Sequence, residues 1–196
     1  MIHRPSRPQG RFSLEIINLP YRLLSALRSY LFPPKILPRT PPFTFDDTKE
    51  RVVHLRPYTE KDVDALVQMY EDFSMLDRVQ GVPPMHEAGI RDWLKKLATG
   101  VNVVATHEGS TVGHVVFVPD GTDRHELAIF VHPSYQRAGI GSQLMAAGLA
   151  YAKFEGVTYV WLSVEASANG LQRFYNRAGF RMINPMGMYQ RMSRYL

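Results

Sequence analysis

Apolar residues recur along this chain with two periods, and the switches between them mark its elements. Val52-Val53-His54-Leu55-Arg56 reads as a strand, which Pro57 ends. Thr59 then stands as an N-cap with Asp62 in the first turn, and the period becomes helical. Val63, Leu66, Val67 and Tyr70 share one face of a helix that runs to about Phe73. Gly81-Val82-Pro83-Pro84 is a loop, and His86 to Leu97 predicts a second helix with Trp93, Leu94 and Leu97 facing the core. Val101 to His107 and Thr111 to Val118 flank Glu108-Gly109-Ser110, a hairpin pattern. Beyond the turn Pro119-Asp120-Gly121, the pattern predicts a strand over Glu126 to Val131, a loop over His132 to Ile140 and a helix over Gly141 to Phe154. A strand over Tyr159 to Val164, a helix over Asn169 to Arg177 and a strand over Phe180 to Ile183 follow, with a last short strand over Tyr189 to Arg194. No segment repeats another.

The first 45 residues follow different rules. They hold eight of the 14 prolines and seven basic side chains (Arg4, Arg7, Arg11, Arg22, Arg28, Lys35 and Arg39) against one acid, Glu15. Leu23, Leu24, Leu27 and Leu31 share a helical face between Pro20 and Phe32, and Pro33-Pro34 stops that helix. Pro38 to Asp47 reads as a Pro/Thr-rich linker. The expected division is therefore a basic, Pro-rich arm over residues 1–45 and a compact domain over 46–196. Three roles stay open for the arm: docking on its own domain or a partner subunit, a loose tail (or an extension from a misassigned start), or weak binding to an anionic membrane surface.

Composition narrows the classes. The 196 residues are 45% hydrophobic and 21% charged, an ordinary globular mix. No apolar run approaches the roughly 18 residues of a transmembrane helix, and no signal peptide pattern is present. There are no cysteines, which excludes disulfides, thiolate metal sites and Cys nucleophiles and makes the cytoplasm the default compartment. The net charge of +5 resides in the arm, so the rest shows no nucleic-acid-binding face. The seven histidines have no metal-ligand spacing, and no metal is expected.

The chemistry concentrates in Leu127-Ala128-Ile129-Phe130-Val131-His132-Pro133-Ser134-Tyr135-Gln136-Arg137-Ala138-Gly139-Ile140-Gly141-Ser142. An apolar strand leads to a Gly-x-Gly loop at a helix start, where unpaired N–H groups and the helix dipole favour an anion. Glycine admits positive φ and close approach by a phosphate, and Arg137 adds a charge. The Rossmann pattern needs a third glycine where Leu144 stands, and the P-loop needs a lysine where Ser142 stands, so neither fits.

Gln136-x-x-Gly139-x-Gly141 resembles the Gln/Arg-x-x-Gly-x-Gly/Ala signature of the GNAT superfamily of acyl-CoA-dependent N-acyltransferases. Leu55-Arg56-Pro57 with Asp62 looks like that family's first strand and helix start. Asn169, with Leu171-Gln172-Arg173-Phe174-Tyr175-Asn176-Arg177-Ala178-Gly179-Phe180, resembles its second signature. The resemblance covers about residues 51–185. It implies an α/β (α+β) fold with a mixed, mostly antiparallel central sheet flanked by helices, splayed where a pantetheine arm enters. It also implies acetyl-CoA as acyl-donor cosubstrate. The backbone of Ile129, Phe130 and Val131 would lie along the pantetheine. The amides of Gln136, Arg137, Ala138, Gly139, Ile140, Gly141 and Ser142 would hold the pyrophosphate, and Asn169 would contact the pantetheine or the sulfur region as well as cap its helix.

An amine must lose a proton before it attacks a thioester, and the oxyanion that forms needs N–H donors. By the same resemblance, Tyr175 is the candidate acid for the leaving thiolate, with packing beside Phe174 as its other reading. Glu126 is the candidate base, sharing a strand face with Ala128 and Phe130. Glu165, His125, His132 or a water chain are the other choices. Trp161 is read as core or cleft lining, and Asp77, Arg78, Gln80 and Met85 as candidate acceptor contacts. The expected function is acetyl transfer to a primary amine of unnamed identity in a ternary complex. The alternatives are a non-catalytic acyl-CoA-binding module and an enzyme tethered through its arm. Homodimerisation is left open.

Overall fold

The computed structural model describes residues 38–75, 78, 82–121 and 123–196. The helix predicted over Pro20 to Phe32, and residues Asp77 and Gln80, lie outside the described residues. Eight strands form one sheet: β1 (Phe43–Asp46), β2 (Val52–Pro57), β3 (Val101–His107), β4 (Ser110–Pro119), β5 (Arg124–Val131), β6 (Tyr159–Glu165), β7 (Arg181–Asn184) and β8 (Tyr189–Tyr195). Their spatial order is β1-β2-β3-β4-β5-β6-β8-β7. Neighbours are antiparallel throughout, except for the parallel pair β5 and β6. A parallel pair needs a crossover, which α3 (Ile140–Phe154) supplies. The other helices are α1 (Val63–Glu71), α2 (Glu87–Leu97) and α4 (Asn169–Arg177). The predicted mixed, mostly antiparallel sheet flanked by helices is the observed class.

The linker reading fails at its end. Phe43–Asp46 is an edge strand that pairs with β2, Phe43 opposite Leu55 and Asp46 opposite Val52. Phe43 and Phe45 alternate with polar neighbours and pack on the core. The compact sheet therefore reaches back at least to Phe43. In the hairpin, Ser110 belongs to β4, and Glu108 and Gly109 form the turn with φ of 49° and 82°, as a two-residue loop requires.

Each sheet face has its own core. On one, α3 lays Ile140, Leu144, Met145 and Leu149 over Val115, Phe117 and Leu127, joined by Leu162, Tyr175 and Phe180. Burial of each such side chain contributes roughly 1.5–3 kcal/mol. Gly148 lets α3 approach β4 closely, since a Cβ there would lie 2.7 Å from Val115 Cγ1. On the other face, α1 and α2 bury Leu66, Tyr70, Ile90, Leu94 and Leu97 against Val104 and Val116. Ile90 occupies the central place that the helical pattern assigned to Trp93, which is only half-buried.

A polar chain runs through this second core. Asn102 Nδ2 donates to the carbonyls of Leu97 and Gly100, at 2.9 and 2.8 Å, so its Oδ1 accepts from His114 Nε2–H at 2.8 Å. His114 Nδ1 then accepts from the Tyr70 hydroxyl at 2.7 Å. His114 is 1% exposed. Burial depresses its pKa to about 3, so the ring is neutral, and burial also pushes the Tyr70 phenol up.

Candidate active site

The Gly-x-Gly loop begins where β5 ends. Its shape follows from three backbone facts. Pro133–Tyr135 forms a short 3-10 turn. Arg137 has φ of 58° and Gly139 has φ of 86°, both left-handed. Gly139 is the N-cap of α3. The first amides of α3, Ile140 and Gly141, have no intrahelical acceptor, whereas Ser142 N–H already donates to Gly139 O at 3.1 Å. Extended Gln136 and left-handed Arg137 and Gly139 bend the chain between the 3-10 turn and the first turn of α3, where unpaired N–H groups favour an anion.

The two glycines serve different needs. Gly139 is required by its φ, because an added Cβ would meet only Thr48 Cγ2 at 3.7 Å. At Gly141 a Cβ would meet Val131 Cγ2 at 3.5 Å, an ordinary contact. Nothing in the folded chain demands glycine at 141, so the space beside it suits a bulky ligand.

The second part of the site is a gap in the sheet. The parallel pairing of β5 and β6 covers Arg124–Tyr159, His125–Val160 and Glu126–Trp161, and stops there. Leu127–Val131 and Leu162–Glu165 have parted. His132 N–H donates to Val112 O at 3.0 Å, which fixes the alternation along β5. Phe130 and Ala128 therefore direct their backbone polar groups at β4, and Ile129 and Val131 direct theirs into the gap. Val131 O accepts from Gln136 Nε2 at 3.1 Å, which ties the loop to the open strand edge. The open strand edge therefore belongs to Ile129 and Val131. Phe130 does not share it: its backbone faces β4, and its ring packs edge-on against Tyr70, Phe73 and Trp93.

Glu126 and Tyr175 lie on opposite faces of the sheet. Glu126 shares a face with Ala128 and Phe130, which belong to the α1–α2 side, and Tyr175 belongs to the α3 side. Partial burial, reinforced by Asp120, raises the Glu126 carboxyl pKa, and Arg191 opposes the rise. Glu126 keeps an exposed surface, so the desolvation is incomplete. Tyr175 is 8% exposed, touches Phe174 and Phe180 edge-on, and has its phenol pushed up to about 12 by burial.

The other candidates separate. His132 Nδ1 accepts from Ser134 N–H and its Nε2 meets Asp72 at 2.9 Å, so neither ring nitrogen is free. His125 alternates onto the α3 side, away from Glu126. Glu165 ends β6 and accepts from Ser167 Oγ at 2.7 Å. Asn169 is exposed at the first position of α4, and Ala168 occupies the N-cap, so the capping role predicted for Asn169 does not hold. Arg78 turns to the carbonyls of Tyr70, Phe73, Pro83 and Pro84 and holds a loop instead of facing an acceptor. Met85 is exposed. Arg56 and Asp62, part of the family-like opening motif, form a two-pronged ion pair at 2.8 and 2.5 Å.

A cavity of about 260 Å³ adjoins the Glu126–Trp161 rung, lined by Asp123, Arg124, Tyr159, Trp161, Ile183 and Arg191 among others. Trp161 is a cavity wall, half-buried, its indole N–H donating to Asp120 at 3.0 Å.

Sequence reasoning missed one supporting element, the turn between β1 and β2. Asp47 Oδ1 accepts from the N–H groups of Lys49 and Arg51, and Oδ2 accepts from Arg51 Nε at 2.7 Å. Burial alone would raise the Asp47 pKa, but its bonds to Arg51 and Lys49 hold it below the usual carboxylate value. The alternation Phe43-x-Phe45 before Val53-x-Leu55 was the available signal, and the surrounding prolines hid it.

Residues 64–180 match the model of the acetyltransferase (GNAT) family, and the chain belongs to that family. An uncharacterised N-acetyltransferase of Mycobacterium bovis is 35% identical over 82 residues, covering 41% of this chain and 52% of that protein. The chain thus matches about half the length of this relative. Among solved structures, the GNAT domain of PAT from S. lividans superposes with a TM-score of 0.65 at 19% identity, covering 79% of this chain and 97% of that one. The PaiA N-acetyltransferase of Thermoplasma acidophilum, solved in complex with coenzyme A, gives 0.60 at 14% identity, covering 74% and 99%. These two likenesses establish the fold. Among the described residues no helix is long and apolar enough to cross a membrane.

Proposed function

We propose that this chain transfers an acetyl group from acetyl-CoA to a primary amine, directly and within a ternary complex. The observation that carries the reading is the gap between β5 and β6, opening beside the glycine-led start of α3 with Glu126 and Tyr175 on its two sides. The acyltransferase domain runs from about Phe43 to the last residues of the chain, after a basic arm.

The residues fit the donor. The amides of Ile140 and Gly141 and the loop before them would receive the pyrophosphate, with Arg137 beside it. The backbone of Ile129 and Val131 would pair with the pantetheine amides and place an N–H where negative charge develops on the carbonyl oxygen. Bound acetyl-CoA supplies an acyl group activated as a thioester. Glu126, whose raised pKa makes it a better base than a glutamate at its ordinary value, takes the proton of the acceptor ammonium directly or through one water. Attack forms the N–C bond and puts negative charge on the carbonyl oxygen; its collapse breaks the C–S bond, the Tyr175 phenol, protonated at every physiological pH, gives its proton to the departing sulfur, and the second proton leaving the nitrogen passes to water, from which Tyr175 is reprotonated. The acceptor would approach over the cavity beside Trp161.

The test is thermal unfolding with and without acetyl-CoA, with ATP and NAD as controls, followed by an amine panel read by free-thiol release. A ligand at ~100 times its Kd adds about 2.7 kcal/mol, a shift of several degrees. No shift with acetyl-CoA in a folded protein would overturn the reading. A shift without turnover of any amine would leave a non-catalytic acyl-CoA-binding module.

A further inference from the structure

The loop over residues 136–142 holds two left-handed residues, and one of them, Arg137, is not glycine. Such a shape persists only where its surroundings impose it. Between the two stands Ala138, whose side chain is fully buried. Its carbonyl accepts from Thr48 N–H at 3.1 Å. A second hold acts at the 3-10 turn, where the Arg51 guanidinium lies 4.1 Å over the Tyr135 ring. Tyr135 also meets His107 and His132 edge-on.

Arg51 is itself fixed. Its Nη2 lies 2.6 Å from Asp47 Oδ2, and the Asp47 side chain is 0% exposed. A continuous set of bonds therefore leads from the end of β1 through Asp47 and Arg51 to Tyr135, and from Thr48 to Ala138. Its anchoring residues, Asp47, Thr48 and Arg51, all precede residue 64, where the family match begins.

We infer that the turn Asp47–Arg51 holds the phosphate-binding loop in its anion-receiving shape, and that Thr48 and Arg51 are positioning residues for the acyl-donor phosphates. The inference rests on the proposed reading of the loop as the acyl-CoA cradle. The turn acts through the loop, so its influence extends to ligands that carry the pyrophosphate and not to those that lack it.

Full-length wild type and Arg51→Ala are compared by calorimetric titration with coenzyme A and by rates with acetyl-CoA and with S-acetylpantetheine, which lacks the nucleotide and pyrophosphate. Arg51→Ala is expected to weaken coenzyme A binding about tenfold. The rate at saturating acetyl-CoA, and kcat/KM with S-acetylpantetheine, should stay within about twofold. A general structural role would reduce both donors alike, and that result, or an unchanged affinity for coenzyme A, overturns the inference. Should Arg51→Ala fail to fold because Asp47 is left unpaired, Tyr135→Leu removes the stacking platform without unpairing Asp47, and the same split is expected. Wild type that binds no coenzyme A overturns the cradle reading itself, and this inference with it.

Discussion

Glu126 stands opposite Trp161 on the last rung joining β5 to β6, and the two charges that hold Trp161 are the two that act on Glu126. Asp120 accepts the indole N–H, and Arg191 lies 4.2 Å over the ring. The first raises the carboxyl pKa and the second lowers it.

This gives a pH prediction with a definite sign. The base is active as carboxylate, so activity is lost as pH falls through its raised pKa. Asp120→Asn should move the acidic limb of kcat/KM to lower pH, and Arg191→Ala should move it to higher pH. Glu126→Gln should lower kcat by roughly 100-fold or more and flatten that limb. Initial rates of thiol release across the acid range measure all three, and an unmoved limb removes Glu126 as the base.

Gly141→Ala separates ligand space from folding. The new methyl meets Val131 at an ordinary distance, and alanine favours helix by up to about 1 kcal/mol. The unliganded protein should be as stable as wild type or more so, while coenzyme A affinity drops at least about tenfold. Gly139→Glu should abolish binding by placing a carboxylate, in a left-handed position, at the start of α3. Paired melting and titration curves decide both.

Tyr175→Phe keeps the packing with Phe174 and Phe180 and removes only the hydroxyl. The melting temperature should change little, coenzyme A affinity should hold, and kcat should fall about tenfold. An unchanged kcat would assign Tyr175 to packing alone.

His114 predicts acid sensitivity of the fold. Its folded pKa of about 3 lies below an unfolded value of about 6.5. The stability it contributes is complete above the unfolded value and drains away as pH falls toward the folded one, at a slope of up to about 1.4 kcal/mol per pH unit. Urea unfolding at pH 7, 5.5 and 4.5 should show that loss. His114→Gln should reduce the slope while lowering stability at pH 7.

Two truncations measure the first strand. A chain starting at residue 48 lacks β1 and Asp47, and should melt several degrees below one starting at residue 39. Equal melting points would mean that Phe43, Phe45 and Asp47 add nothing to the fold.

Most of the sheet was legible because its strands alternate or run apolar between clear turns, and because Leu66, Val67 and Tyr70 keep helical spacing. The glycine-led start of α3 was legible because both of its features are local in the sequence. β1 was not, since four residues beside Pro41-Pro42 give too short a period to outweigh the prolines. Nor was the network of Asn102, His114 and Tyr70, whose members are 12 and 44 positions apart and meet only after folding. Arg78 read as an acceptor contact because an arginine in a loop looks free until the carbonyls it gathers are in place.

The strand order also carries a history. β1 to β5 form an antiparallel meander of chain neighbours that can close as each strand appears. The other half cannot: β8, which follows β7 in sequence, lies between β6 and β7 and pairs with β6 from Tyr159 through Glu165. The gap that would receive the donor therefore coincides with the seam between the part of the sheet able to assemble early during synthesis and the part that must wait for β8.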